Sequence, residues 1–261
     1  MLSYIVTPNS LSVTIDGKTF TANSGHVNYG KIREKLRAKD FDNLAPLFDV
    51  TAGINAAGRG IVKVENGEVT YMGQVIHNTL TIRMLEMFEE GFDIEPLVNF
   101  LTNLMANPSK TAVDELYLWL ETSNLSITPD GHFLAYKKVR GDYRDIHSGK
   151  FDNTPGSICQ MPRNQVDDNR ERTCSEGLHF CSESYLEHFG SSGSSDKVVL
   201  LKINPADVVS IPSDYANAKG RTWRYEVLED VTDRVGDKEF TAPVATNYHN
   251  KRDASGRFVA A

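Results

Sequence analysis

Residues 173–190 read TCSEGLHFCSESYLEHFG and hold two of the chain's three cysteines and two of its seven histidines. The content suggests a metal site or a nucleophile, but the order of residues suggests a fold element. Gly177 permits a tight entry, GLHFC alternates like a strand, and SESYLEHF carries Tyr185, Leu186 and Phe189 at the spacing of a short amphipathic helix. Successive strand side chains point to opposite faces, so Leu178 and Phe180 should face a core while His179 and Cys181 share the other face. Turn, strand and helix are therefore expected, inside a sheet-rich domain.

The metal and nucleophile readings compete with this one. Cys174, His179, Cys181 and His188 supply donor atoms that suit zinc, yet no paired C-x-x-C knuckle sets them at the usual spacing. Free cysteines also rank among the most buried residue types, so packing is the expected role and no metal is expected. A cysteine nucleophile needs a base to form thiolate, and nothing in the spacing assigns His179 to Cys174 or Cys181.

Outward from this stretch, the chain divides. SLSVTIDGKTFTAN alternates on both sides of Asp16-Gly17, a dipeptide suited to a two-residue hairpin turn. Residues 29–40 carry Ile32 and Leu36 on one helical face, and DNLAPLFDV offers a second short helix interrupted at Pro46. IVKVENGEVTYMGQVIH repeats the hairpin pattern around Asn66-Gly67. Helices are expected over 78–90, 94–106 and 109–121, the last carrying Leu116, Trp119 and Leu120 as a core stripe.

At LSITPDGHFLAYKKV the grammar turns to strands, with Phe133 to Val139 the first clear one. KVVLLKI and TWRYEVLED are strongly β-prone, DVVSIP lies between them, and SSGSSD is a polar spacer. The fold class is thus α+β in two domains: a hairpin-plus-helices domain over 1–124 and a sheet-rich domain over 125–232. A tail or extended arm is expected over 233–261.

Composition narrows the function. An odd cysteine count without regular spacing points to a reducing compartment. The start lacks the basic head and apolar run of an export signal, and KVVLLKI is too short to cross a bilayer, so a location in the cytoplasm is expected. A net charge of −7 does not favour general phosphate-backbone binding. AGINAAGRG has the glycines of a phosphate loop but offers Arg59-Gly60 where lysine followed by serine or threonine is needed. No complete catalytic constellation is visible.

Several blocks in one order carry a family resemblance: ITPDGHFLAYKKVR, GKFDNTPG, MPRNQVDD, TCSEGLHFCSESYLEHFGSS, VVSIPSDYANAKGR and YEVLEDVT. The chain resembles the rapid-lysis protein B (rIIB) family of T-even and related tailed phages. That resemblance implies an early phage protein that protects an infection from prophage-mediated exclusion and restrains premature lysis. It also implies a partner, the larger A protein of the pair, a GHKL-type ATPase. Attachment to the host inner membrane would come through that partner. Longer members carry a helix-turn-helix-like extension ahead of the first hairpin, where this sequence has only a short lead.

A second likeness concerns mechanism. G-L-H-F-C-S, a short helix, a spacer, KVVLLKI and a late Tyr225-Glu226 are similar in order to the core of ADP-ribosyltransferase folds. This implies an NAD or other nucleotide site, with Tyr136 at the first-strand position, His179 on the second strand and Glu226 as the late acid. Such an acid would stabilise positive charge in the transition state. Cys181 and Tyr225 would line the same pocket. Tyr136 stands where that fold ordinarily has arginine or histidine.

Overall fold

The computed structural model describes residues 2–8, 10–23, 28–42, 44–48, 51, 54–55, 58–65, 68–76, 81, 95–122, 125–189, 195–235, 246–252 and 258–260. Most of the expected helix over 78–90, the Asn66-Gly67 turn and most of the SSGSSD spacer lie outside these residues. The chain separates into two compact units, one built mainly from Met1–Val98 and the other from Asn99–Arg252.

In the first unit, strands β1 (Leu2–Val6), β2 (Ser10–Ile15) and β3 (Lys18–Asn23) form an antiparallel sheet. Ile15 pairs with Lys18, so Asp16 and Gly17 make the expected two-residue turn, both at positive φ. β1 had no sequence signal; most of its side chains are exposed, leaving no alternation to read. Helix α1 (Tyr29–Ala38) lays Ile32 and Leu36 on Leu11, Val13 and Ala22, which point inward from the sheet. Burying such side chains contributes about 1.5–3 kcal/mol each. Among the described residues of DNLAPLFDV, Ala45–Leu47 form a 3-10 turn. The second hairpin is present as β4 (Val62–Glu65) and β5 (Glu68–Tyr71), followed by β6 (Gln74–Val75).

Helix α2 (Glu95–Met105) crosses the division, and α3 (Lys110–Thr122) belongs wholly to the second unit. The second unit therefore begins at Asn99 and not at residue 125. The reason is aromatic packing: the Trp119 ring of α3 lies 5.0 Å from Phe133 and 5.7 Å from Phe180, both on strands, and Phe100 of α2 lies 6.4 Å from Phe133.

The second unit is a large antiparallel sheet. Its strands are β7 (Leu125–Ile127), β8 (Phe133–Val139), β9 (Ile158–Gln160), β10 (Leu178–Cys181), β11 (Lys197–Ile203), β12 (Val208–Ser210), β13 (Lys219–Thr222) and β14 (Arg224–Asp230). They are ordered β12-β13-β10-β8-β11-β14-β9, with β7 beside β8. Residues beyond 232 include β15 (Thr246–Arg252), which pairs with β7 from Thr246 opposite Ile127 to Tyr248 opposite Leu125. The expected helix SESYLEHF shortens to a 3-10 turn at Glu183–Tyr185, extended by the bonds of the His188 and Phe189 amides to the Tyr185 carbonyl.

Candidate functional site

Strand β8 shares one of its edges among several neighbours. Phe133 pairs with Ile127 of β7, Tyr136 pairs with Cys181 of β10, and Val139 bridges to Asp145. β8 and β10 meet at that one pair and then part. In the opening, the Lys137 ammonium donates to the His179 carbonyl at 2.9 Å, so a side chain does what a neighbouring strand amide would otherwise do.

The segment after β8 closes around this opening. The Asp145 carboxylate accepts from the Ser148 amide at 2.6 Å, the Ser148 hydroxyl at 2.9 Å and the Phe151 amide at 2.8 Å. Fully buried Asn153 donates to the Tyr143 and Phe151 carbonyls and accepts from the Tyr225 hydroxyl at 2.5 Å. His147 brings its ring to 6.4 Å from that of His179. Lys137 is only 6% exposed; its nitrogen lies 5.7 Å from the centre of the Tyr225 ring and 5.8 Å from that of Phe189. Burial pulls its pKa below the ordinary lysine value, against the pull of Asp145.

The sequence-derived site residues distribute as follows. Cys181 and Tyr136 do come together, and the Cys181 thiol donates to the Tyr136 carbonyl at 3.4 Å. They sit in an apolar cluster with Leu134, Leu186, Phe189, Val198, Leu200 and Val231. Burial pushes the Cys181 thiol up to about 12, so it stays protonated and packs as a small apolar group. Burial also raises the Tyr136 phenol to about 12, with Glu183 adding to the shift. Tyr225 and Glu226, being adjacent on β14, face opposite sides of the sheet, and the Tyr225 side joins Asn153 and Cys159. Glu226 lies opposite Lys202 of β11. Three strand spacings separate β10 from β14, about 14 Å before any offset along the strands. His179 and Glu226 therefore do not adjoin one another in the sheet. Cys174 is exposed and Cys181 buried, and among the described residues no three His, Cys, Asp or Glu side chains gather as metal ligands.

Burial depresses the half-buried His179 to about 3, assisted by the charges of Lys137, Arg221, His147 and Lys219. An unfolded histidine titrates near about 6.5, so below that pH the unfolded chain gains a proton that the folded one refuses. Stability is full above that value and falls as pH drops towards 3. Asp130 does not confuse the window: hydrogen bonds from Lys202 and Thr128 outweigh its burial and hold it at about 2, so its stabilisation fades only in stronger acid. The expected result is a loss of about 1–2 kcal/mol between pH 7 and 5 in urea unfolding, largely absent in His179→Gln. Equal slopes in the two proteins would refute it.

Sequence reading missed Lys137, Asn153, Glu115 and Arg221. The first had a signal: Phe133, Ala135, Lys137 and Val139 share one face of β8, so a lysine interrupts an apolar series. Arg221 is fully buried on β13 and donates to the Arg172 and Asn169 carbonyls and the Ser210 hydroxyl. Glu115 of α3 accepts from the Ile211 amide at 2.9 Å, and burial raises its pKa.

The family model described as Bacteriophage T4 protein rIIB matches residues 3–242, from the first strand to beyond β14. The chain belongs to the rIIB family. It is 43% identical over 225 residues to Protein rIIB of Enterobacteria phage T4, spanning 86% of this chain and 72% of that protein. No solved structure matches. The rIIB match embraces the entire slot between β8 and β10, whereas β15 lies beyond it.

Proposed function

We propose that this rIIB-family chain is a phage-encoded accessory protein that acts through protein partners, protecting the infection from prophage-mediated exclusion and restraining early lysis. The observation that carries this reading is membership of the family across residues 3–242. The partner that fits is the larger A protein of the pair, a GHKL-type ATPase, with a host or prophage defence component as a further partner. No helix among the described residues is long and apolar enough to cross a membrane, which supports attachment to the inner membrane through the partner.

Co-expression of the tagged chain with the A protein is expected to yield a complex that survives purification. Deleting the gene is expected to remove protection on a host carrying the excluding prophage. Two separate peaks at micromolar concentration, together with undiminished protection in the deletion, would defeat the reading.

A further inference from the structure

We propose that the slot between β8 and β10 binds a phosphoryl oxyanion, with the Lys137 ammonium at its base and the imidazoles of His179 and His147 at its mouth. The inference is independent of the partner reading above, because it concerns a small ligand and is tested on the chain alone.

The first support is a buried charge without a counter-ion. Removing an ammonium from water costs several kcal/mol unless it is paired. Among the described residues Lys137 has no carboxylate within ion-pair distance, and the acceptor it reaches is the neutral His179 carbonyl. Asp145 acts on it electrostatically, but that carboxylate already accepts three bonds from Ser148 and Phe151. The Tyr225 and Phe189 rings offer their faces, which ease the burial without neutralising the charge.

The second support is that the surroundings add positive charge. Arg221 pairs with His179 across β10 and β13, and its guanidinium donates to two carbonyls and a hydroxyl, all neutral. Lys219 is balanced by Asp214 at 2.7 Å, whereas among the described residues neither Lys137 nor Arg221 has a carboxylate within ion-pair distance, Asp167, Glu115, Asp168 and Asp214 acting on Arg221 from further away. On a chain of net charge −7, such a local well selects for an anion.

The third support is access. His147 is exposed, His179 half-buried and Lys137 buried, so the three groups grade from solvent to the interior. A phosphoryl group suits this layout because its several oxygens can accept from an ammonium and from imidazole N–H groups together. Lysine serves such groups as a point charge.

Calorimetric titration with inorganic phosphate and, separately, with adenosine monophosphate at constant ionic strength tests the proposal. Wild type is expected to bind, and Lys137→Met to bind about tenfold or more weakly. Lys137→Met keeps an unbranched side chain one atom shorter and removes the buried charge together with its bond to the His179 carbonyl, so the urea midpoint is measured beside the affinity to separate lost binding from lost folding. His147→Ala, at an exposed position, should weaken binding several-fold with an unchanged midpoint, and it serves if Lys137→Met does not fold. Tighter binding of the nucleotide would assign the phosphoryl group to a nucleotide, and equal binding to free phosphate. No heat with either ligand at millimolar concentration, or affinity unchanged in both variants, would overturn the proposal.

Discussion

Gly220→Ala is expected to destabilise the second unit by on the order of 3 kcal/mol, the upper range for overpacking a tight core. Gly220 lies directly opposite Phe180 in the β10–β13 ladder, and an added Cβ would stand 2.1 Å from the Phe180 Cζ atom. The ring cannot retreat, because Trp119 and Phe133 hold its other sides at 5.7 Å and 5.4 Å between ring centres. Glycine is there because an aromatic ring occupies the place of its side chain. Urea unfolding followed by tryptophan fluorescence reads the effect. The double variant Phe180→Leu with Gly220→Ala should recover part of the loss, since the smaller side chain leaves room. A single variant within about 0.5 kcal/mol of wild type would contradict this packing.

Gly131→Ala is expected to cost a similar amount for a different reason. Gly131 has φ +76 and follows Pro129-Asp130 in the turn between β7 and β8, where the chain presses on α2. A Cβ would meet the Asn99 carbonyl carbon at 2.3 Å and the Phe100 amide nitrogen at 2.4 Å, and helix backbone does not yield as a side chain can. The left-handed conformation adds roughly 1 kcal/mol for a non-glycine residue. The turn is also tied to α2 by Asn99, which donates to the Pro129 carbonyl at 2.8 Å, and by Asn103, which donates to the Asp130 carbonyl at 2.9 Å. About 3 kcal/mol or more should be lost in urea unfolding. Hydrogen exchange should show the loosening centred on 99–105 and 125–133, and a uniform change across the unit would count against the local clash.

Much of the fold was legible because its signals are local. KVVLLKI and Phe133–Val139 form strands over the residues expected, and Asp16-Gly17 forms its hairpin, since apolar periodicity and turn chemistry lie within a few residues. β13 was illegible for the opposite reason. Its residues Lys219 to Thr222 look like a polar loop, and they are buried only because Arg221 finds carbonyls 49 and 52 residues away and Phe180 covers Gly220. The compact second unit takes in α3 for a like reason, since nothing local tells that Trp119 packs against strands instead of against the helices before it.

The candidate site was half legible. Alternation expects His179 and Cys181 on one face of a strand, and the strand itself forms over Leu178–Cys181. What alternation could not show is that β8 parts from β10 after one residue pair, so that a lysine on β8 holds the β10 backbone. The chemistry of the region thus moves from the cysteine to the lysine.

β15 gives the sheet a temporal order as well as a spatial one. β7 is among the earliest strands of the second unit to leave the ribosome, and its partner β15 is among the last. The outer edge of β7 must therefore wait for residues 246–252, with its backbone donors and acceptors unmet while the intervening strands assemble. Translation that stalls between β14 and β15 would leave a nascent chain with an adhesive margin, open to strand exchange with a neighbour on the same message.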